Sequence, residues 1–302
     1  MSTAETAPAG VSGRAGGLAL VAIGAAGFGL IPIFAALAYE AGMTPEGLLP
    51  YRFIVPLLLF GPLLPRLRQA PREGLELFGV GVVLTIGVLG YLRAVETGGI
   101  ALATIIFFSF PLFTTLLEAL RLRRAPPPRD LAAAALVIAA ALLSVGPALK
   151  DALISLPAVI FAFGGPFSYA LLLSAIGRPS PLGPLTRSAA ICLGSALACL
   201  PILGGSIAAA FPASIEAAFI LLLFVTIAGV GPQLAIVIGT PMTGASAAAF
   251  VGTLELGVSL ALGWTLIGEP VRPGEIAAAV LIAAAIFLGA GKRAPAPGHA
   301  LS

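Results

Sequence analysis

The chain has 302 residues, of which 59 % are hydrophobic and 10 % charged, with a mean hydropathy of +1.09 and a formal net charge of +3. Soluble domains average roughly 45–50 % apolar and about 25 % charged residues, and so few charges could not cover the aqueous surface of a soluble fold of this length. The composition excludes a soluble domain and a nucleic-acid binder, and leaves an all-α membrane protein whose small positive balance bears on orientation in the bilayer.

Residues 1–15 are small, polar and Pro-containing, without the basic start and apolar core of a signal peptide, and read as a disordered tail. A bilayer-spanning helix needs about 20 mostly apolar residues. Ten segments supply them, near 17–40, 44–65, 74–95, 98–121, 129–147, 153–177, 182–204, 215–238, 241–267 and 273–291, and residues 292–302 form a second tail. The links are short and marked by Pro, Gly or charge, as in Arg66 to Arg72 and Arg121 to Pro128. Basic residues crowd the ends that face the same side as the N-terminus: Arg14, Arg66, Arg68, Arg72, Arg121, Arg123, Arg124, Arg129, Arg178, Arg187, Lys292 and Arg293. Only Arg52, Arg93, Lys150 and Arg272 fall at the opposite ends, so the positive-inside rule places both termini in the cytoplasm.

The chain also repeats itself. Without a gap, Ala101–Gly146 aligns with Ser246–Gly291 at an offset of 145, matching Pro128 to Pro273, Asp130 to Glu275 and Gly146 to Gly291. Nearer the front, an offset of 135 sets Phe28-Gly29 over Phe163-Gly164, Phe34 over Tyr169 and Arg52 over Arg187. Two repeats, 16–150 and 151–291, each hold five spans. An odd number of crossings inverts the second copy relative to the first, a plan recurrent in secondary transporters with a site at the seam.

Several motifs resemble one family. An Arg opens the second helix of each half (Tyr51-Arg52-Phe53, Thr186-Arg187-Ser188), a small-residue run leads to Ser109-Phe110-Pro111 and Thr253-Leu254-Glu255-Leu256, and Gly268-Glu269-Pro270 follows. The chain resembles the drug/metabolite transporter superfamily, EamA type, over residues 17–291, and within it looks most like the YddG-type exporters of aromatic and other amino acids. The resemblance implies an inner-membrane exporter in bacteria working by alternating access, with small metabolites and membrane lipid as partners and the chain as a monomer. It further implies a central cavity lined by the first, third, fourth, sixth, eighth and ninth spans. Two departures stand out: Glu255-Leu256 where the family has Glu-Pro, and Arg123-Arg124 where it has Gly-Glu.

Candidate substrate-binding residues are Glu255 and the aromatic residues Phe28, Phe34, Tyr91, Phe107, Phe108, Phe163 and Tyr169. Glu255 falls near the middle of its span, where a carboxylate costs about 2.5–3.5 kcal/mol to insert and usually faces a cavity or a partner. It is either a proton-sensitive gate or substrate-ammonium anchor, or an acid that fixes helix packing. Aromatic walls suit an apolar side chain or a cation over a ring face. Gly29 and Pro32 in the first span, and Gly164 and Pro166 in the sixth, are hinge candidates because Pro removes a helical hydrogen bond. Arg52 and Arg187, close to a membrane face, read as interface anchors. Arg93 with Glu96, and Glu118 with Arg121, are spaced to pair on a helix. Trp264 reads as a membrane-interface anchor.

No enzyme is expected. The one histidine, His299, lies in the tail, and Cys192 and Cys199, seven apart in one apolar segment, read as small hydrophobes rather than a disulfide or metal pair. No cofactor or metal is called for, and no nucleic acid. The competing function is a broad carrier of lipophilic cations or drugs on the same fold, with Glu255 holding the charge.

Overall fold

The computed structural model describes residues 11–43, 45–151, 155–203, 211–267 and 270–291. Among these there is no strand. The helices are α1 Val11–Gly29, α2 Ile31–Glu40, α3 Pro45–Phe60 with a 3-10 extension Gly61–Gln69, α4 Pro71–Gly98, α5 Ile100–Phe107, α6 Phe110–Arg121 and α7 Pro128–Val145. There follow α8 Leu156–Ile176, α9 Pro184–Leu203, α10 Ile215–Leu223, a π-helical stretch Phe224–Val230, α11 Gly231–Thr243, α12 Ala245–Gly252, α13 Leu254–Leu262 and α14 Pro273–Ala290.

Eight continuous helical stretches among the described residues are long and apolar enough to cross a membrane. Against the ten segments expected, the apolar helix at the start is shorter, Gly13–Gly29, because the chain breaks at Leu30 before α2, and α9 is not among the eight. Both nevertheless pack within the bundle, α1 against α11 and α9 against α3 and α4. The helix α1 starts at Val11, so residues 11–15, expected in a tail, are helical. Residues 1–10 and 292–302, expected as tails, and Gly268-Glu269 of the polar link lie outside the described residues.

In lipid the apolar exterior gives helices no reason to associate, so close packing of small residues must hold the bundle together. Glycine provides that closeness. Gly17, Gly24 and Gly27 of α1 lie against Gly239, Ile236 and Pro232 of α11, and Gly81 of α4 sits on the Ile191 carbonyl of α9 while Gly194 of α9 sits on the Phe78 carbonyl of α4. Any side chain at Gly81 or Gly194 would collide with backbone. Gly87 and Gly90 bring α4 equally close to Gly164, Ser168 and Phe161 of α8.

The Ala-rich α7 and α14 pack on one another through Ala133, Ala134, Val137, Ala140, Ala278, Ile282 and Ala285, all buried. They run antiparallel: Arg129 at the start of α7 bonds to the Leu288 carbonyl near the end of α14, and Gly274 at the start of α14 lies on the Leu143 carbonyl near the end of α7. Local conformation recurs at the offset of 145 as well. Gly99 (φ 86°) precedes the eight-residue α5 and Gly244 (φ 87°) the eight-residue α12. Positive φ is natural to glycine alone, which explains why both positions carry one. Each short helix then breaks, at Phe108-Ser109 and at Thr253, before the next begins.

Candidate functional site

Where α1, α3, α4, α8, α9 and α11 meet, they enclose a cavity of about 40 Å³. Its wall is mostly apolar, with Phe28, Phe53, Leu84, Leu172, Ile191, Ile236 and Val237, and its polar members are Arg52, Tyr169 and Gln233. A buried water needs roughly 10–15 Å³ of such space, so the cavity has room for a few waters and is too small for an amino acid in this conformation.

Arg52 reaches this cavity from α3, a continuous helix that carries Pro50 and Pro56 internally. Pro56 has no N–H to offer the carbonyl four residues earlier, that of Arg52, which loosens the helix at this point. The guanidinium lies 4.9 Å from the centroid of the Phe28 ring, a cation–π contact. Among the described residues no hydrogen-bond acceptor or carboxylate pairs with it directly. Gln233 is fixed from the other side: its Nε2 donates to Ser188 Oγ at 2.8 Å and Cys192 Sγ at 3.0 Å, both on α9.

Glu255 opens α13 directly after the break at Thr253 and is half-buried. It does not line the cavity itself. Its helix docks on the end of α1, where Gly29 lies against the Glu255 carbonyl and Val258, and Ser259 Oγ donates to the Gly29 carbonyl at 3.1 Å. Gly29 follows Phe28, the residue beneath Arg52.

The aromatic candidates divide into groups. Phe107 is the hub of one cluster, with ring centroids 5.8 Å from Tyr91, 5.6 Å from Phe108, 5.5 Å from Phe110 and 6.1 Å from Tyr169. Tyr91 also shares a 3.4 Å hydroxyl contact with Thr104. Phe28 and Tyr169 face the cavity, and Tyr169 joins it to the cluster. Phe34 packs elsewhere, with Ala38, Leu221 and Phe224. Phe163, 42 % exposed, stacks edge-on with Phe113 on the outer surface of the bundle. Of the hinge candidates, Gly29 ends α1 beside the break at Leu30, while α8 runs unbroken through Gly164 and the buried Pro166. Pro32 lies in α2, and its side chain is outside the described residues.

Arg187, read from sequence as an anchor like Arg52, is 2 % exposed and bonded through both terminal nitrogens. Its two terminal nitrogens donate to the Ile176 and Ala175 carbonyls at 3.0 Å each, the acceptors left free where α8 ends. Its Nε lies 3.3 Å from Glu73 at the start of α4. Beside it, Ser180 Oγ donates to Glu73 at 2.8 Å, and Arg178 pairs with Glu76. Charge at this end of the bundle is therefore tied into a network joining α4, the α8–α9 link and α9. The pairs Arg93–Glu96 and Arg121–Glu118, both at 2.8 Å, form as their spacing predicts. Trp264 Nε1 donates to Glu275 at 2.8 Å, an acid that also caps the Arg272 backbone N–H.

Sequence reasoning missed two cavity residues. Arg52 looked like a surface anchor because it stands close to the end of its helix; the signal to the contrary was its lack of an acid at pairing distance along the helix. Gln233 went unremarked, although it is the one carboxamide in an apolar span of a chain without asparagine. The fourth and ninth spans, expected in the cavity wall, stand behind it, and α3 and α9 take their place.

Membrane-length apolar helices packed into one bundle define a multi-pass helical membrane protein. Residues 15–146 match the model of the EamA-like transporter family, which points to small-molecule transport. No curated protein matches the chain. Among solved structures, a crystal structure described only as that of a protein superposes with a TM-score of 0.71 at 15 % identity, covering 91 % of this chain and 96 % of its own. That likeness establishes a shared fold.

Proposed function

We propose that this protein exports small amphipathic metabolites, aromatic or other apolar amino acids foremost, across the bacterial inner membrane in the manner of YddG-type exporters. The chain makes ten crossings as two inverted repeats, 16–150 and 151–291, with both termini cytoplasmic. The cavity carries this reading: it lies at the seam, takes its wall from both halves, and combines aromatic surface with one cation and one amide. Such a mixture of apolar wall and few polar groups is what a small-molecule site needs. The antiparallel course of α7 and α14 and the matching glycines at 99 and 244 support the inverted arrangement. Because the cavity is too small for an amino acid in this conformation, a solute enters when the halves move apart on one side, which is alternating access.

A carrier of lipophilic cations fits less well, since Arg52 in the wall would repel the charge that Glu255 attracts. The test is purified protein in vesicles loaded with labelled L-phenylalanine or L-leucine. Efflux above protein-free vesicles is expected, and flux equal to that of empty vesicles for every amino acid rejects the proposal.

A further inference from the structure

We propose that Arg52 and Glu255 together select zwitterions, Arg52 taking the substrate carboxylate and Glu255 its ammonium, so that a solute bearing only one of the two charges is rejected. This rests on the amino-acid reading above and assigns its recognition to two particular side chains.

Three observations converge. Arg52 enters the cavity with a ring beneath it and no direct ionic or hydrogen-bonding partner among the described residues, so the edge of its guanidinium is left for a ligand. Glu255 has no hydrogen-bond partner among the described residues either, and its helix is clamped to the end of α1 through Gly29 and Ser259, which fixes its backbone against the residue that follows Phe28. The end of α1 joins the two: the Phe28 ring lies under Arg52, and Gly29, the next residue, lies against the Glu255 backbone. The contrast with Arg187 is informative, because the same sequence context there ends in an arginine whose terminal nitrogens are both bonded to protein carbonyls.

A zwitterion entering between Arg52 and Glu255 brings a carboxylate to the cation and an ammonium to the anion, so each protein charge gains a partner. A bare amine would satisfy Glu255 but face Arg52 as a like charge, and a bare acid would satisfy Arg52 but face Glu255. Discrimination thus comes from the mismatched charge as much as from the matched one. The apolar and aromatic wall adds affinity for the side chain without deciding between charge types.

The probes are L-phenylalanine, L-phenylalaninamide, which keeps the ammonium and loses the carboxylate, and N-acetyl-L-phenylalanine, which does the reverse. Binding is read from the ligand-induced rise in melting temperature of the detergent-purified full chain, and transport from competition against labelled L-phenylalanine in vesicles of phosphatidylethanolamine and phosphatidylglycerol. For the wild type, both one-charge analogues are expected to bind about 10- to 100-fold more weakly than the amino acid, the value of one charge-assisted hydrogen bond. Arg52→Gln should lose most of its preference for the amino acid over the amide, Glu255→Gln most of its preference over the N-acetyl compound, and Arg52→Lys should keep much of the first.

If the wild type treats the three ligands alike, or if both Gln variants weaken all three in parallel and leave their ratios unchanged, the two residues serve structure and the proposal is overturned. The binding arm stands apart from transport. Zwitterion preference without flux would sink the exporter reading and keep this one, whereas flux without preference would do the opposite.

Discussion

Arg52 and Arg187 stand 135 positions apart at corresponding places in the two halves of the sequence, and the fold puts them to opposite uses. Arg187 is consumed by the protein, its nitrogens spent on the Ala175 and Ile176 carbonyls and on Glu73. Arg52 is left over a ring at the edge of a cavity. A buried cation in lipid is expensive unless paired, so an unpaired one must gain its compensation from something else. Duplication can supply the same residue twice; the surroundings decide which copy is structural and which is available to a ligand.

The sharpest way to break this comparison is to truncate both. Arg187→Ala removes two charge-assisted hydrogen bonds and leaves Glu73 without its nearest cation, a loss of about 3 kcal/mol. At about 2.1 cal/mol/K of unfolding entropy per residue, that lowers the apparent melting temperature of this chain by roughly 5 °C. Arg52→Ala forfeits one cation–π contact, about 1 kcal/mol or less. Thermal unfolding in detergent should therefore separate the two variants clearly. Equal losses would mean that Arg52 is as structural as its counterpart, and the comparison would fall.

A smaller effect is expected from the crossing that holds α9 against α4 and so brings Arg187 to Glu73. Alanine at Gly81 or Gly194 would strike the Ile191 or Phe78 carbonyl, which can only move with its helix. Such overpacking costs about 1–3 kcal/mol. Alanine at Gly79, which has open space around it on the same helix, should change nothing measurable or stabilise slightly. If all three alanines behave alike in thermal unfolding, close approach of α4 and α9 is not what positions the Arg187 network.

Much of this architecture could be read from sequence, and the part that could not has a common cause. Helix starts at Pro128 and Pro273, the i,i+3 pairs Arg93–Glu96 and Arg121–Glu118, and the equal length of α7 and α14 are local or periodic features, which sequence carries directly. The break at Leu30, where glycine and proline cluster, was legible too, but the same composition in α8 produced no break, because packing against α4 supports the helix through Pro166. The site was harder. What distinguishes Arg52 from Arg187 lies on other helices, the carbonyls at the end of α8 and an acid at the start of α4 more than one hundred residues away in the chain. Phe163 and Phe28 align in the repeat and still face outward and inward respectively, since facing depends on how the halves pack.

The smallest effect sharpens the boundary between buried and peripheral charge. Arg178 and Glu76 form an ion pair next to Arg187, yet their side chains are 33 % and 44 % exposed, against 3 % for Arg187. Water and salt screen such a pair, and exposed pairs contribute about 0.2–1 kcal/mol. Glu76→Gln should thus lower the melting temperature by no more than a few degrees, and raising the salt concentration should shrink the difference from wild type. The Arg187→Ala deficit should instead persist in high salt, because its lost partners are buried carbonyls that ions do not reach. Were both deficits to vanish together as salt rises, the burial that sets Arg187 apart from its exposed neighbour, and from Arg52, would have no energetic content.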